Sequence, residues 1–208
     1  MVEREMTPLE SIKKLFDQWY KQGCQYAPSR VAGHDRRRLI QVFGEHGLTE
    51  GAEIGVDRAR FSEYMFKYIP GLHLTCVDPW IPHFRGESRY NSTVARLAPY
   101  NATIIRKTSM DALADVPDQS LDFVYIDGNH EFDYVMPDII FWAKKVKFGG
   151  VVAGHDYHRF RCAGVIPAVN VYTYQHGITK WFLTDEKTPT WFWIREPDPF
   201  KLKSESTE

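Results

Sequence analysis

Cysteine is scarce in this chain of 208 residues: it carries three, far apart at Cys24, Cys76 and Cys162. An odd number with no close pair indicates neither a disulfide framework nor a cysteine-rich zinc site, so we expect a reducing compartment. Apolar runs long enough to span a membrane are also absent. The first six residues carry acidic groups where a signal peptide needs a basic lead and an apolar segment. We therefore expect a soluble cytoplasmic protein with no membrane partner.

The chain also lacks an excess of charge of either sign. Its formal net charge of -1 gives no electrostatic reason to expect nucleic acid as a partner, so we expect a small molecule instead. The G-x-G-x-x-G fingerprint is missing as well, which argues against a standard nicotinamide site. The length is compatible with a single domain that buries a large core.

The strongest chemical signal that is present is the stretch from Ser120 to His130. A short run of β-branched and aromatic residues predicts a strand buried on both faces, and the run ends abruptly at Asp127-Gly-Asn-His130. Open α/β sheets bind their ligands beyond the carboxyl ends of the strands. Asp127 and His130 are therefore candidate site residues.

The alternation of strands and helices predicts an α/β fold with a doubly wound, mostly parallel, Rossmann-like sheet. Seven strands are expected, and the last two, 180–184 and 190–194, should form an antiparallel hairpin with a five-residue loop. Residues 1–48 should form helices that cap the same domain. We expect the main domain at 49–200 and a flexible tail at 201–208.

Two segments favour a nucleotide-like cofactor. Glu53-Ile-Gly55 places a small residue at the turn between the first predicted strand of the main domain and its helix, although plain turn chemistry explains this spacing equally well. Asp78 follows the next strand, where this architecture holds the two hydroxyls of a ribose, because an ionised carboxylate accepts both. The alternative is that Asp78-Pro79 only starts a turn.

Five segments, taken in order, resemble the successive motifs of class I S-adenosylmethionine-dependent methyltransferases. They are Glu53-x-Gly55-x-x-x-Ala59-x-x-Ser62, Val77-Asp78-Pro79-Trp80, Ser109-x-Asp111-Ala112, Asp122-Phe-Val-Tyr-Ile-Asp127-Gly-x-His130 and Gly149-Gly150-Val-Val-Ala-Gly154-His155-Asp156-Tyr157. Within that superfamily the chain is most similar to the group of macrocin-type and other sugar O-methyltransferases, several of which use magnesium. Ala59 departs from this pattern by replacing the second glycine of the loop.

The resemblance implies a cofactor site for S-adenosylmethionine built from seven residues beside Asp127. Its methionine part would be bordered by Glu53, Gly55 and Ser62. Its ribose would be bound by Asp78, and its adenine would be flanked by Ser109, Met110 and Asp111. Asp127 would lie beside the methyl donor.

The resemblance also implies a magnesium site and a base. Asp127 and Asp156 would ligate Mg²⁺, and His130 would be the general base. His155 is a further candidate ligand, at a position where the group tends to carry a second acidic residue. A zinc or iron site formed by His155, Asp156 and His158 is the alternative, although its spacing matches no standard pattern.

The expected reaction is methyl transfer to a hydroxyl of a small molecule, for which a sugar is one candidate. Arg159 and Arg161 could border the acceptor, which would then be anionic, whereas the run Arg36–Arg38 is typical of a solvated helix face. A metal-independent N-methyltransferase and a non-catalytic cofactor-binding module are the alternatives. The aromatic hairpin predicts core packing and a homo-oligomer surface.

Overall fold

The computed structural model describes residues 5–22, 27–81, 86–159 and 163–197, and the tail expected at 201–208 lies outside them. The helices of the described part are α1 (Pro8–Gln22), α2 (Arg36–Glu45), α3 (Arg60–Tyr68), α4 (Gly86–Leu97), α5 (Phe132–Trp142) and α6 (Val165–Gln175). Its strands are β1 (Ser29–Val31), β2 (Glu50–Ile54), β3 (His73–Val77), β4 (Ala102–Ile105), β5 (Leu121–Ile126), β6 (Val146–Gly154), β7 (Trp181–Thr184) and β8 (Trp191–Ile194).

All eight of these strands form one sheet in the order β1-β7-β8-β6-β5-β2-β3-β4. Strands β2 to β6 pair in parallel, and β8 runs antiparallel to both β6 and β7. This confirms the predicted α/β class, the mostly parallel sheet and the C-terminal hairpin. The strand beyond the expected seven is β1, which lies within residues 1–48, where only helices were expected, and pairs in parallel with β7 at the edge of the sheet.

Hydrophobic cores lie on both faces of the sheet, as the doubly wound prediction requires. Successive residues of a strand point to opposite faces. Phe123 and Tyr125 of β5 accordingly pack with α1, α2 and α3, whereas Val124 and Ile126 pack with α5 and α6. The aromatic residues of the hairpin belong to these two cores, because none is more than 4% exposed: Trp181, Phe182, Trp191, Phe192 and Trp193.

Helix α6 was not expected from the sequence. Its segment is rich in β-branched and aromatic residues and contains Pro167, so its intrinsic helix propensity is low. Pro167 lies in the first turn, where its missing N–H costs little. Val165, Ala168 and Val169 are buried against the core beside α5, so tertiary packing stabilises the helix. Within the described ranges, no helix is both long and apolar enough to cross a membrane.

Candidate active site

The predicted site residues come together because backbone hydrogen bonds continue past the ends of neighbouring strands. The Gly55 N–H donates to the Val77 carbonyl (2.9 Å), and the Asp127 N–H donates to the Ile54 carbonyl (2.7 Å). The His155 N–H donates to the Ile126 carbonyl in the same way (2.9 Å). The residues that follow β2, β5 and β6 are therefore held side by side at one edge of the sheet.

Gly55 allows the closest approach between these segments. Its φ is +91°, in the region that favours glycine. A side chain here would collide with the carbonyl group of Asp127 and with Gly128. Glycine is therefore required for the turn after β2 to pack against the turn after β5.

Glu53 is a buried carboxyl group that lies just before this turn. It is 2% exposed, and it accepts a hydrogen bond from the Ser62 hydroxyl at the start of α3. Burial is the main cause that raises the pKa of Glu53 to about 8; the Ser62 hydrogen bond opposes this shift, and the nearby Asp127 contributes to it. Glu53 is therefore uncharged at neutral pH and forms a polar but neutral wall beside Asp127.

Asp78 binds the two turns on either side of it. Its Oδ2 accepts the N–H groups of Val56 (3.1 Å) and Asp57 (3.0 Å), and its Oδ1 accepts that of Trp80 (2.7 Å). The last bond is the local turn that the Asp-Pro sequence indicates. The carboxylate thus joins the end of β3 to the turn after β2, in addition to any contact with a ligand.

The segment predicted to contact adenine lies at the end of β4. Thr108 and Asp111 cap a short 3-10 turn at Asp111–Asp115, with Thr108 Oγ1 donating to Asp111 Oδ2 (2.7 Å). Beneath Ser109 lies Asp138 of α5, which sequence analysis missed. Burial raises the pKa of Asp138 to about 6, and its Oδ1 accepts no hydrogen bond from the described residues. Its position among the apolar residues in the second half of α5 was the only available signal.

A cluster of two carboxylates and one imidazole follows β5 and β6. It comprises Asp127, His130 and Asp156, whose candidate ligand atoms all lie within 4.8 Å of one another. His130 Nε2 is 3.0 Å from Asp156 Oδ2 and 3.6 Å from Asp127 Oδ1. These carboxylates raise the pKa of His130 to about 10, and His130 and His155 hold the pKa of Asp156 far below its usual range.

The structure places His155 at the side of this cluster. Its Nδ1 is 3.3 Å from Asp156 Oδ2 and 3.9 Å from Asp127 Oδ1, and its Nε2 is buried without a hydrogen-bond partner among the described residues. His158 Nδ1 lies 3.6 Å from the other oxygen of Asp156. Asp127 and Asp156, both predicted as metal ligands, are therefore brought together, and the third member of the tight cluster is His130.

Arg36 is the residue whose place differs most from the sequence expectation. The run Arg36–Arg38 indicated a solvated helix face, but Arg36 Nη1 lies 3.9 Å from Asp127 Oδ2, and its guanidinium lies 4.9 Å from the centre of the Phe61 ring. Arg159 is exposed, and Arg161 lies outside the described residues. Among the described residues, the arginine that lies beside the cluster is therefore Arg36 of the N-terminal helix α2.

A cavity of about 810 Å³ lies at the opposite end of the sheet, between α1, the end of α5 and the end of β8. None of the predicted site residues lines it. It is therefore separate from the polar cluster, and the chemistry belongs to the carboxyl ends of β2 to β6.

Comparison with known proteins decides the family. The profile of a family described as a methyltransferase domain matches residues 52–157, about half of the chain and the part that carries the site. The chain belongs to this methyltransferase family. An uncharacterized protein, y4gI of Sinorhizobium fredii, is 32% identical to this chain over 108 residues, which are 46% of this chain and 12% of that protein.

A second relative is the uncharacterized protein R132 of Acanthamoeba polyphaga mimivirus. It is 27% identical over 143 residues, which are 66% of this chain and 64% of that protein. This chain therefore spans less than two thirds of the length of either relative.

Solved structures agree on the fold. The O-methyltransferase TomG of Streptomyces achromogenes, in complex with S-adenosylmethionine, has a TM-score of 0.58 at 13% identity. The match covers 93% of this chain and 92% of the TomG chain. An O-methyltransferase of Bacillus cereus, in complex with S-adenosylhomocysteine, has a TM-score of 0.60 at 11% identity and covers 94% of each chain. This chain therefore has the class I methyltransferase fold that the order of its motifs indicated.

Proposed function

We propose that this chain transfers a methyl group from S-adenosylmethionine to a hydroxyl of a small molecule, with a divalent cation bound at Asp127 and Asp156 and with His130 as the base. The carboxylate and imidazole cluster carries this proposal, because it lies next to the end of β2 and its glycine turn. The acceptor could be a sugar, as the resemblance to sugar O-methyltransferases suggests. The two solved structures described above are named as O-methyltransferases, which supports transfer to oxygen.

The cofactor residues fit because they follow three neighbouring strands. Gly55 ends β2, Asp78 follows β3, and the segment from Ser109 to Asp111 follows β4. A ligand laid across these ends meets the backbone of the glycine turn, a carboxylate and the 3-10 turn in that order. This order matches the methionine part, ribose and adenine of S-adenosylmethionine.

The cluster also fits a divalent cation. The two carboxylates, Asp127 and Asp156, supply the hard oxygen ligands that Mg²⁺ prefers and that Mn²⁺ also accepts. When bound, such a cation would lower the pKa of an acceptor hydroxyl nearby. Asp127 and Asp156 would hold it, and Glu53, uncharged at neutral pH, would not compete for it.

His130 can act as a base only as the neutral imidazole. Its pKa of about 10 results first from its contact with Asp127 and then from its contact with Asp156. While both carboxylates face His130 alone, they keep the proton on it at neutral pH. A cation bound by Asp127 and Asp156 would offset the charges that raise the pKa of His130. The neutral imidazole would then be able to accept a proton from the acceptor hydroxyl.

Calorimetry separates these assignments. Wild type should bind S-adenosylhomocysteine, and Mn²⁺, used as a probe for the cation site, should bind in a second experiment. Asp127→Asn and Asp156→Asn should each weaken Mn²⁺ binding by about tenfold or more, because each removes a charged ligand. Asp133→Asn, which changes an exposed carboxylate of α5, is the matched control and should bind as wild type does.

Unchanged Mn²⁺ affinity in both cluster variants would contradict the cation site and favour a metal-independent transfer. A wild type that binds no S-adenosylhomocysteine would contradict the function itself. Binding of S-adenosylhomocysteine without methyl transfer to any hydroxyl acceptor would indicate a non-catalytic module.

A further inference from the structure

We infer that Arg36 recognises an anionic group on the methyl acceptor, a carboxylate or a phosphate, next to the hydroxyl that is methylated. This inference rests on the proposed function and extends it to the class of substrate. It follows from the position of Arg36, from the donors that its guanidinium has to spare and from the charge of the site.

The position of Arg36 is fixed by a part of the chain remote in sequence. Asp35 caps α2, with its Oδ1 accepting the N–H of Arg38 (2.8 Å). The N–H of Arg36 donates to Glu186 Oε1 in the loop after β7 (2.8 Å), and the Thr184 hydroxyl donates to the same oxygen (2.7 Å). The start of α2 is therefore anchored to the sheet rather than left in solvent.

This anchoring brings the guanidinium into the site. Its guanidinium carbon lies 4.9 Å from the centre of the Phe61 ring of α3, and its Nη1 lies 3.9 Å from Asp127 Oδ2. That separation makes an ion pair but is too long for a hydrogen bond. Among the described residues the guanidinium has no hydrogen-bond acceptor, so its N–H donors are available to a ligand.

The neighbouring arginines show the contrast. Arg38 donates to both oxygens of Glu45, with its Nη2 3.0 Å from Oε2, and Arg37 is exposed over the ring of Tyr64. These two lie on the solvated face that the sequence indicated. Arg36 lies on the same helix and is about as exposed as Arg38 (35% against 39%), but its side chain lies beside Asp127 of the candidate reaction centre.

Charge balance alone is a weak reason for this arrangement. An ion pair that is partly exposed and not hydrogen-bonded contributes little to stability. The cation proposed at Asp127 and Asp156 would be held by those two carboxylates, whereas Arg36 is a separate positive charge beside them with which an anionic acceptor can pair directly. Arginine presents paired N–H donors that match a carboxylate or phosphate, and its planar group is already oriented by Phe61.

The test uses protein loaded with S-adenosylhomocysteine and a matched pair of probes, 3,4-dihydroxybenzoate and its neutral methyl ester. Dissociation constants are measured by calorimetry for wild type, Arg36→Met, Arg36→Lys and the control Arg37→Met. Wild type should bind the acid about tenfold or more tightly than the ester, because a charge-assisted pair forms only with the acid. The preference should disappear in Arg36→Met, fall in Arg36→Lys and persist in Arg37→Met.

A second measurement removes the dependence on the shape of the probe. Acetate and acetamide are titrated into the loaded, ¹⁵N-labelled protein, and the side-chain Nε–Hε resonances of Arg36 and Arg37 are followed. Acetate alone should shift the Arg36 resonance in a saturable manner. A response at Arg36 no larger than that at Arg37 would overturn the inference, as would an acid preference that survives in Arg36→Met or is absent from wild type.

The loaded protein keeps the two proposals apart. If S-adenosylhomocysteine fails to bind, the proposed function fails. If it binds and the anion response is missing, only the assignment of Arg36 fails.

Discussion

The wild type should lose stability as pH rises from acidic to alkaline values, and replacing Glu53 with glutamine should prevent a large part of that loss. Glu53 is 2% exposed, and burial raises its pKa from 4.5 to about 8. Glutamine has nearly the same shape and can still accept the hydrogen bond from the Ser62 hydroxyl, but it does not ionise. The substitution therefore changes the charge of the site at high pH and little else.

The expected size follows from proton linkage. The folded chain holds the proton on Glu53 up to about pH 8, whereas the unfolded chain releases it near pH 4.5. Between these values the folded state binds more protons, so the free energy of unfolding falls as pH rises, by about 1.4 kcal/mol per unit. At pH 7 the free energy of unfolding of the wild type is therefore about 3 kcal/mol lower, from Glu53 alone, than it is below pH 4.5. Glu53→Gln avoids this loss because glutamine does not ionise.

Urea unfolding at several pH values, followed by tryptophan fluorescence, measures the effect. The two proteins should have similar stability at pH 4 and should diverge as pH rises through 8, with Glu53→Gln the more stable. Glu87→Gln is the control, because the Glu87 side chain is 67% exposed, and it should follow the wild type within about 0.5 kcal/mol. Parallel profiles for wild type and Glu53→Gln would refute the argument, because they would mean that folding leaves the ionisation of Glu53 unchanged.

Two further outcomes are expected. Asp78→Asn should lower the affinity for S-adenosylhomocysteine by about tenfold or more in calorimetry, since a carboxylate that accepts a ribose hydroxyl becomes an amide; unchanged affinity would remove the ribose assignment. His130→Gln should be less stable than wild type below pH 6.5, where the imidazolium of His130 pairs with Asp127 and Asp156. This deficit should shrink as pH rises from 6.5 through the raised pKa of His130, about 10, and a deficit independent of pH in urea unfolding would contradict the pairing.

Local signals predicted the centre of the fold and the cofactor side of the site. The buried run of β5 ends at Asp127, and the glycine turn and Asp-Pro sequence mark the ends of β2 and β3. Each signal lies within a few residues of the feature that it predicts. Parallel pairing then places these strand ends together, so the position of Asp78 beside the turn at Gly55 followed from the fold class.

Features set by contacts remote in sequence were not predictable in this way. Arg36 reaches Asp127 because Glu186 and the β1–β7 pairing fix the start of α2, and no local pattern connects these segments. Helix α6 forms on a segment of low helix propensity because burial of Val165, Ala168 and Val169 against the core stabilises it. Asp138 looks like a surface acid in the sequence, and only packing shows that it lies buried beneath Ser109.

Backbone strain concentrates at the same edge of the sheet. Four residues other than glycine have positive φ there, Asp57 (49°), Ala59 (55°), Trp80 (42°) and Asp156 (58°). Such conformations cost of order 1 to 3 kcal/mol each and persist where the surroundings hold them. Ala59 stands where the motif that the chain resembles has a glycine, and its φ of 55° is a conformation that glycine adopts without strain.

Asp78 holds two of these strained residues, and this limits what else it can bind. Its carboxylate has about four acceptor positions, and the N–H groups of Val56, Asp57 and Trp80 occupy three of them. The Trp80 indole also donates to the Asp57 carbonyl (2.7 Å), which ties the two turns together a second time. With this arrangement intact, Asp78 can accept one ribose hydroxyl through Oδ1, not the two that the sequence suggested. Acceptance of both would require one turn to release its backbone bond, and the strain at Asp57 or Trp80 would then lose the contact that offsets it.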